Sequence, residues 1–588
     1  MLQFLKYVLA TILGLVLFVM MGVFLMIGIA AVSSGGDDTV DIKENSVLKL
    51  DLNRPIVENL PSDDGNPFAE YLGGNNVKSI GLVQIKAAIA NAKIDPKIKG
   101  IYLDVNYPVA GYATMDEIRE SLLDFKKSGK PIYAYGEFYL EKGYYLSSVA
   151  NKIYLNPSGG MDFNGLSSEQ MFFKGTLEKL EVKPVIFRVG EYKSFVEPFF
   201  LDKMSDANRE QVTSYLGSIQ QNVFAKIAQS RGFSVQHLNQ VADSLSAFKP
   251  KGALKSQLIT DLGYYDQFET DLKKAMKISD EKVKYLSVMK YLKSKSLPIK
   301  KVDSDNKIAV IVASGEINSG KSGKESIGSE TIAEEIKKAR EDNKVKAIVL
   351  RIDSPGGSSL ASDVMWHEVN MTRGKKPIIA SFGDVAASGG YYLGMACDSI
   401  VAQPTTITGS IGIFGMFYNV EGLLKNKLGI TTDQVSTNAH SDFPSATHTL
   451  SPFEFNILQQ SVNDGYETFT TKAAQGRRMS VAKLKTLASG RVWTGEQAKA
   501  NGLVDKLGNL NDAIVMAAKK AKLKDYELKY VPYQKSFWQD FFDKGSEEAK
   551  ASLMKAQYGE LAPYMKQIQK LKAMEGVQAR MMFDAEIK

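Results

Sequence analysis

The sequence repeats itself at an offset of 246 to 248 residues, and this repeat restricts the possible folds more than any single motif. A repeat whose copies are each the size of a domain indicates duplication of a whole domain, not a solenoid of short units. The matching pairs are KIKGIYLDVN (97–106) with KVKAIVLRID (344–353), GKPIYAYGEFYLEKGYYL (129–146) with KKPIIASFGDVAASGGYYL (375–393), and NPSGGMDFNGL (156–166) with QPTTITGSIGI (403–413).

Each copy alternates apolar, strand-like runs with amphipathic, helix-like segments. In the first copy, strands are predicted at 99–105 and 131–135, with a helix at 115–127 between them. In the second copy, strands are predicted at 308–313 and 347–352, with a helix at 331–340 between them. The alternation predicts an α/β layered fold in both copies. The predicted organisation is an anchor (1–35), a linker (36–78), a first domain (79–290), a linker (291–306), a second domain (307–527) and a helical tail (528–588).

The segment from Tyr7 to Val32 contains 26 residues without a charge. This is longer than the roughly 20 residues that cross a bilayer core, and too long for a typical signal-peptide apolar region. A retained transmembrane anchor is predicted, although a weak cleavage-like site ends at Ser33. Lys6 precedes the segment and three aspartates follow it, so the positive-inside rule places the N-terminus in the cytoplasm and the domains outside.

The net charge of +7 comes from lysines interspersed with acids, without a basic block, which argues against nucleic acid as a partner. A single cysteine, Cys397, rules out an intrachain disulfide. The four histidines lack metal-ligand spacing, and the chain has no CxxC or HExxH motif. No metal and no cofactor is therefore expected.

Residues 376–398 contain the first candidate for chemistry. A strand is predicted at 377–382, a turn at Gly383 and Asp384, and a helix at 391–397. Ser388 lies between the turn and the helix, among small residues that allow a substrate backbone to come close. The start of a helix also offers free N–H groups for a developing oxyanion. Ser388 is either a nucleophile or an ordinary N-cap residue.

Comparison of the two copies suggests that each carries half of a site. Ser388 stands opposite Glu141, and Lys193 in the first copy stands opposite Ser441 in the second. A serine needs a base, and lysine serves only when burial lowers its pKa far below the usual value of about 10.4. The aromatic surroundings of Lys193 can supply such burial if Glu191 and Glu197 point elsewhere.

Two further motifs lie near these positions in the sequence. Gly356 and Gly357 follow an apolar strand in DSPGG, where they can turn N–H groups toward a substrate carbonyl or form an ordinary β-turn. Ser410, in TGSIG, is a candidate for orienting a neutral lysine amine.

Together, DSPGG, ASGGYYLGMACD, TGSIGIFG and GEYKSFVEPF resemble, in order and spacing, the bacterial signal peptide peptidase A family in its long, duplicated form. The resemblance covers residues 1 to about 525. It implies that Ser388 is the nucleophile, that Lys193 is the general base and that Ser410 positions the lysine. It also implies an oxyanion hole formed by the N–H group of Gly389 and that of Gly356 or Gly357.

The resemblance further implies two tandem Clp-protease/crotonase-like domains with a β-β-α spiral core. It implies a homo-oligomer, a tetramer for the long form, on the outer face of the inner membrane. The expected substrates are signal peptides and other apolar peptides. For the tail at 528–588, the resemblance implies no role.

Three alternatives stay open at this point. The fold class also includes crotonase-type acyl enzymes, which use a similar oxyanion hole. His440 is one residue from the position opposite Lys193 and offers a Ser388–His440 pair. The third alternative is an inactive scaffold that gathers membrane proteins, since the first copy has already lost the serine.

Overall fold

The structure is a computed structural model that describes isolated positions between 3 and 22 and residues 41–58, 79–279, 282–299, 302–323, 326–532 and 576–581. Within these residues, no helix has both the length and the apolar character needed to cross a membrane. The anchor predicted at 7–32 lies largely outside the described residues.

The strands of the described residues are numbered in chain order. They are β1 (Ser46–Asp51), β2 (Ile56–Val57), β3 (Ile80–Gly81), β4 (Ile98–Asp104), β5 (Ile132–Leu140), β6 (Lys152–Asp162), β7 (Lys183–Arg188), β8 (Asp261–Leu262), β9 (Lys284–Ser287), β10 (Lys307–Ser314), β11 (Glu316–Asn318), β12 (Ser326–Gly328), β13 (Val345–Ser354), β14 (Gly356–Ser358), β15 (Ile378–Ala387), β16 (Ser399–Ala402), β17 (Ile407–Gly409), β18 (Phe414–Asn419), β19 (Val492–Thr494), β20 (Lys506–Leu507), β21 (Glu527–Val531) and β22 (Gly576–Arg580).

The helices are numbered in the same way. They are α1 (Leu82–Ile94), α2 (Tyr112–Lys126), α3 (Glu141–Ser147), α4 (Lys174–Lys179), α5 (Asp206–Arg231), α6 (Val235–Asp243), α7 (Pro250–Lys255), α8 (Tyr265–Ala275), α9 (Val288–Leu292), α10 (Ser329–Glu341), α11 (Ser359–Thr372), α12 (Gly389–Gly394), α13 (Pro452–Arg477), α14 (Val481–Leu487), α15 (Gly495–Asn501) and α16 (Leu510–Lys520). A 3₁₀ helix spans Ser194–Phe199, and a π-helical turn spans Leu423–Lys427.

The first copy forms a sheet of six parallel strands in the order β8-β6-β5-β4-β1-β9. Its central strands are apolar along most of their length because helices cover the sheet, as expected for parallel strands. Strand β5 leads directly into the short helix α3, which begins at Glu141.

The second copy forms an equivalent sheet in the order β19-β17-β15-β13-β10-β21, from which β16 and β20 branch at β15. Its pairing repeats that of the first copy: Ile348 pairs with Ile378 as Ile101 pairs with Ile132. Strand β15 leads into α12 as β5 leads into α3. The duplication seen in the sequence is thus a duplication of the folded unit.

A third sheet joins the two copies, in the order β12-β11-β14-β22-β18-β7. Strand β7 comes from the first copy and pairs antiparallel with β18 of the second, from Arg188 opposite Phe414 to Lys183 opposite Asn419. The chain continues from β7 directly into the segment that carries Lys193. The shared sheet therefore holds that segment against the second domain.

Several predicted boundaries need correction. Strand β15 runs through Gly383 and Asp384 to Ala387, because β17 continues the pairing where β16 ends. The predicted linker at 36–78 contains β1, which lies inside the first sheet between β4 and β9. The tail at 528–588 was predicted to be helical, yet 528–531 belong to β21 and 576–580 form β22, while 533–575 lie outside the described residues.

Candidate active site

The structure brings Lys193 and Ser388 into contact, although 195 residues separate them in the chain. Lys193 Nζ lies 2.9 Å from Ser388 Oγ. Ser388 stands between β15 and α12, and Lys193 directly precedes the 3₁₀ helix. Both residues are almost completely buried, with exposed fractions of 0% and 1%. The pair predicted from the repeat thus meets at the boundary between the two domains.

The backbone of Ser388 has an unusual conformation, with φ 53° and ψ −112°. Positive φ is unfavourable for a residue with a side chain and is often found at functional sites. Two hydrogen bonds hold it: its N–H donates to the Gly409 carbonyl and its carbonyl accepts from the Tyr392 N–H, both at 2.8 Å. Its hydroxyl makes no capping bond to α12, which removes the interpretation of Ser388 as an ordinary N-cap residue.

Ser410 provides the other polar contacts of the lysine amine. Lys193 Nζ lies 3.0 Å from the Ser410 carbonyl oxygen and 3.1 Å from Ser410 Oγ. A neutral amine has two N–H donors and one lone pair. The two donors match the two oxygens of Ser410, which leaves the lone pair for the Ser388 hydroxyl proton.

Burial lowers the pKa of Lys193 well below its ordinary value, because an ammonium group loses its hydration there. Two glycines of the second domain pack against its aliphatic stem. A Cβ at Gly490 would lie 2.7 Å from Lys193 Cβ, and one at Gly412 would lie 3.3 Å from Lys193 Cδ. These close approaches, which the sequence analysis missed, exclude water from the stem.

The acids beside Lys193 in the sequence do not oppose this pKa shift. Glu197 is buried, but its carboxylate accepts hydrogen bonds from the Ser205 hydroxyl at 2.6 Å and the Asn208 amide at 3.0 Å. Glu191 lies in an exposed turn. The condition set from the sequence, that both acids point elsewhere, holds in the structure.

The glycines predicted for the oxyanion hole gather beside Ser388. A Cβ at Gly356, whose φ is +100°, would lie 2.7 Å from the Gly389 nitrogen. Gly389 is the first residue of α12, so its N–H has no acceptor within the helix. The Gly356 N–H donates to Ser354 Oγ at 3.1 Å. Gly357, in β14, has its backbone against Ile317 of β11.

The domain boundary is fixed by Asp384, which caps helix α2 of the first domain. Its carboxylate accepts from the Gly111 N–H, the Thr114 N–H and the Thr114 hydroxyl, each at 2.8 Å. Asp384 lies on β15, four residues before Ser388. The strand that carries the candidate nucleophile is therefore bound directly to the other domain.

A buried ionic cluster reinforces this boundary. Arg351 of β13 is 1% exposed and makes two 2.8 Å bonds to Glu58 and a 2.9 Å ion pair with Glu117, both of the first half of the chain. Nearby, burial and the charges of Asp384 and Glu58 raise the pKa of Asp353 to about 8. The only sequence signal for this cluster was an arginine within an apolar strand.

The positions that stand opposite Ser388 and Lys193 in the repeat, Glu141 and Ser441, do not form a second serine–lysine pair. Glu141, opposite Ser388, is buried and accepts the Gly165 N–H at 2.8 Å, and burial raises its pKa to about 7. Ser441, opposite Lys193, is exposed. The His440 ring is 45% exposed, and its Nδ1 lies 3.0 Å from a Glu454 oxygen. The structure thus places His440 in a surface pair with Glu454 and not at Ser388.

A buried serine in contact with a buried lysine at the start of a helix, in a duplicated α/β fold, is an arrangement typical of serine hydrolases that use lysine in place of histidine. Comparison with known proteins shows to which family of hydrolases the chain belongs. The profile of peptidase family S49 matches residues 124–279 and 370–524, one stretch in each copy. The chain belongs to peptidase family S49 and is a serine peptidase with two S49 domains.

Three relatives that match most of this chain agree with its place in the family. Protease 4 of Salmonella typhi is 40% identical over 82% of this chain and 79% of its own. Protease 4 of Haemophilus influenzae is 37% identical over 84% of this chain and 82% of its own. The chloroplastic serine protease SPPA of Arabidopsis thaliana is 34% identical over 82% of this chain and 70% of its own.

Among solved structures, a ClpP1 mutant from Listeria monocytogenes aligns at 14% identity over 35% of this chain and 94% of its own, with a TM-score of 0.24.

Proposed function

We propose that this peptidase cleaves peptide bonds through an acyl-enzyme on Ser388, with Lys193 as the general base. The observation that carries the proposal is the set of three contacts at Lys193 Nζ, two to Ser410 and one to Ser388 Oγ. A lysine can act as a base at neutral pH only when it is neutral, and burial of Lys193 favours the neutral amine by lowering its pKa.

In the proposed reaction, neutral Lys193 takes the hydroxyl proton as Ser388 Oγ attacks the substrate carbonyl. The N–H of Gly389 and a glycine N–H of the DSPGG turn stabilise the oxyanion. Protonated Lys193 then gives its proton to the leaving amine. The Lys193 amine, neutral again, then activates the water that hydrolyses the ester. Ser410 keeps the Lys193 amine in place throughout.

We propose signal peptides and other apolar peptides as the substrates. One relative, from Enterococcus faecium, bears the name "Putative signal peptide peptidase SppA" and is 37% identical over 38% of this chain and 66% of its own. The uncharged run at 7–32 favours an anchor in the inner membrane, with the domains on its outer face. A homotetramer of Clp-protease/crotonase-like domains completes this proposal.

The proposal is tested with Ser388→Ala and Lys193→Ala, assayed on an apolar peptide amide. Each change is expected to lower kcat by about 10⁴-fold or more, because dyad members act as a unit. Ser441→Ala, on the exposed segment of the second domain, is the matched control and keeps full activity. Full activity in Lys193→Ala would exclude the lysine as base.

A fluorophosphonate probe, which phosphonylates an activated serine with loss of fluoride, separates an enzyme from a scaffold. Mass spectrometry of the treated protein is expected to find the adduct on Ser388 in the unmodified chain and none in Lys193→Ala. Ser388 that stays unlabelled both in the unmodified chain and in a chain that ends at Glu575 would instead support the inactive scaffold.

A further inference from the structure

Strand β22 lies in an unusual place, directly beside the candidate active site. It comes from residues 576–580, far along the chain, and inserts between β14 and β18 of the second domain. It is antiparallel to both, with Gly357 opposite Ala579 on one side and Phe414 opposite Gln578 on the other. Without β22, the third sheet would be two pieces with facing strand edges.

Two facing edges form a slot that binds an extended peptide through its backbone. A peptide added between strands satisfies the N–H and C=O groups of both edges, and pockets for alternate side chains set the specificity. Strand β14 carries the DSPGG glycines, and β18 begins four residues after Ser410. The slot is therefore bordered by the residues proposed for catalysis.

The backbone of β22 reaches the glycines proposed for the oxyanion hole. A Cβ at Gly356 would lie 2.1 Å from the carbonyl oxygen of Ala579, and one at Gly389 would lie 2.9 Å from the same oxygen. One residue further, the Met581 N–H donates to the Pro355 carbonyl at 2.8 Å. A single carbonyl of β22 thus touches both glycines that a substrate carbonyl would approach.

The side chains of the segment alternate as those of a bound peptide would. Val577, Ala579 and Met581 lie on one face, and Ala579 is completely enclosed in the core of the second domain while Met581 packs into that of the first. On the other face, Arg580 forms an ion pair with Glu316 and places its guanidinium 5.4 Å from the centre of the Phe195 ring.

A cavity of about 560 Å³ continues from this point. Lys193 and Ser410 line it together with Arg580 and Met581, and the other lining residues come from both domains. The segment therefore runs from the slot into the space in front of the lysine amine, which is the path of a substrate across the site.

We infer that residues 576–581 occupy the strand position of a peptide substrate, with Ala579 in place of the residue whose carbonyl Ser388 attacks. This inference rests on the proposed function. The segment acts as a tethered competitor of substrates. It also defines the substrate class: extended peptides with a small residue at the attacked carbonyl and apolar residues two positions to either side.

The first test removes the segment. A chain that ends at Glu575 is compared with the full chain on a fluorogenic peptide with alanine at the attacked position. Tethered segments compete at effective concentrations on the order of millimolar, so kcat/KM is expected to rise about tenfold. Added synthetic peptide GVQARMMF should raise KM of the shortened chain and leave kcat unchanged. An unchanged kcat/KM in a folded shortened chain would overturn the inference.

A second test keeps the whole chain and serves if the shortened one does not fold. Arg580→Glu places a like charge beside Glu316 and is expected to raise kcat/KM several-fold. Adding Glu316→Arg restores an ion pair and should bring kcat/KM back toward its original value. Lys337→Glu, the same charge reversal on the exposed face of α10, is the control. Equal activity in all four proteins would contradict the inference.

The substrate class is tested on the activated chain with peptides that differ only at the attacked residue. Because Ala579 is enclosed on all sides, alanine is expected to be preferred over phenylalanine by tenfold or more in kcat/KM. A preference for phenylalanine would show that Ala579 does not mark this subsite.

Failure of the inference and failure of the proposed function give different results. Binding of fluorescent GVQARMMF to the shortened chain carrying Ser388→Ala is measured by anisotropy, which needs no turnover. Binding to the shortened chain and not to the full one supports the slot even if Ser388 is not the nucleophile. The opposite result is also possible: turnover depends on Ser388, but GVQARMMF does not bind and the shortened chain is not more active than the full one. That result would contradict the inference and leave the proposed function intact.

Discussion

At the scale of single residues, the amine of Lys193 is held by contacts from a domain other than its own. Ser388, Ser410, Gly412 and Gly490 all belong to the second domain. The first domain supplies the side chain, and the second supplies its burial and its hydrogen-bond partners. The lowered pKa of the lysine is thus a property of the docked pair of domains.

The pH dependence of catalysis follows from this burial. Since the pKa of Lys193 lies well below its ordinary value, kcat/KM is expected to increase as the pH rises through this lowered pKa and then to level off. A profile measured on a peptide amide checks this. A Lys193 with its usual pKa would instead give an increase only near pH 10.

Comparison of the two copies predicted the residues that meet at the site, but not what surrounds them. The loss of the small turn at Glu141 and the lysine opposite Ser441 indicated Ser388 and Lys193 without any structure. The packing of Gly490 on the lysine stem was not predictable, because a close approach between residues about 300 positions apart leaves no local pattern.

At the scale of elements, the contact between β15 and α2 sets the distance between the two halves of the site. Asp384→Ala would leave two N–H groups and one hydroxyl without their acceptor, at a cost of about 1–3 kcal/mol for each buried donor. Both Tm and kcat/KM are expected to fall. Asp384→Asn keeps one acceptor oxygen, so both Tm and kcat/KM should fall less in this variant.

Thermal melting measures the expected loss of Tm in Asp384→Ala, and peptide hydrolysis measures the expected loss of kcat/KM. Asp202→Ala, which removes an exposed ion pair with Lys174, is the control and should change neither quantity. A variant Asp384→Ala with unaltered melting and activity would show that this cap does not position the strand.

The central strands were predictable because they are apolar runs of the expected length, while the edge strands were not. Predicted strand 347–352 lies within β13, and predicted helix 331–340 lies within α10. Strand β22 was missed because its sequence, GVQAR, has only modest strand preference, and its pairing with β14 and β18 creates the strand.

At the scale of the whole molecule, the domain boundary contains more buried acids than Arg351 alone can balance. Asp353, with a pKa of about 8, binds its proton more strongly in the folded protein than in the unfolded chain. Its contribution to stability is therefore complete below its ordinary pKa of about 4 and is lost as the pH rises toward 8.

Asp353→Asn tests this prediction, because asparagine stays neutral and can still accept the Val385 N–H that Asp353 accepts at 2.9 Å. The Tm of the variant minus that of the unmodified protein is expected to increase between pH 5 and 8, as measured by calorimetry. A difference that stays constant over this range would show that Asp353 is ionised throughout.

The division of the site between two domains also has a consequence in time. The ribosome makes Lys193 195 residues before Ser388, a delay of roughly 10–40 s at about 5–20 residues per second. During translation the lysine lacks the cover of Gly412 and Gly490, so water reaches it and keeps it protonated. On the proposed mechanism, a chain whose second half is still unmade has no Ser388 and no neutral lysine, so proteolytic capacity begins only after the second half has folded onto the first.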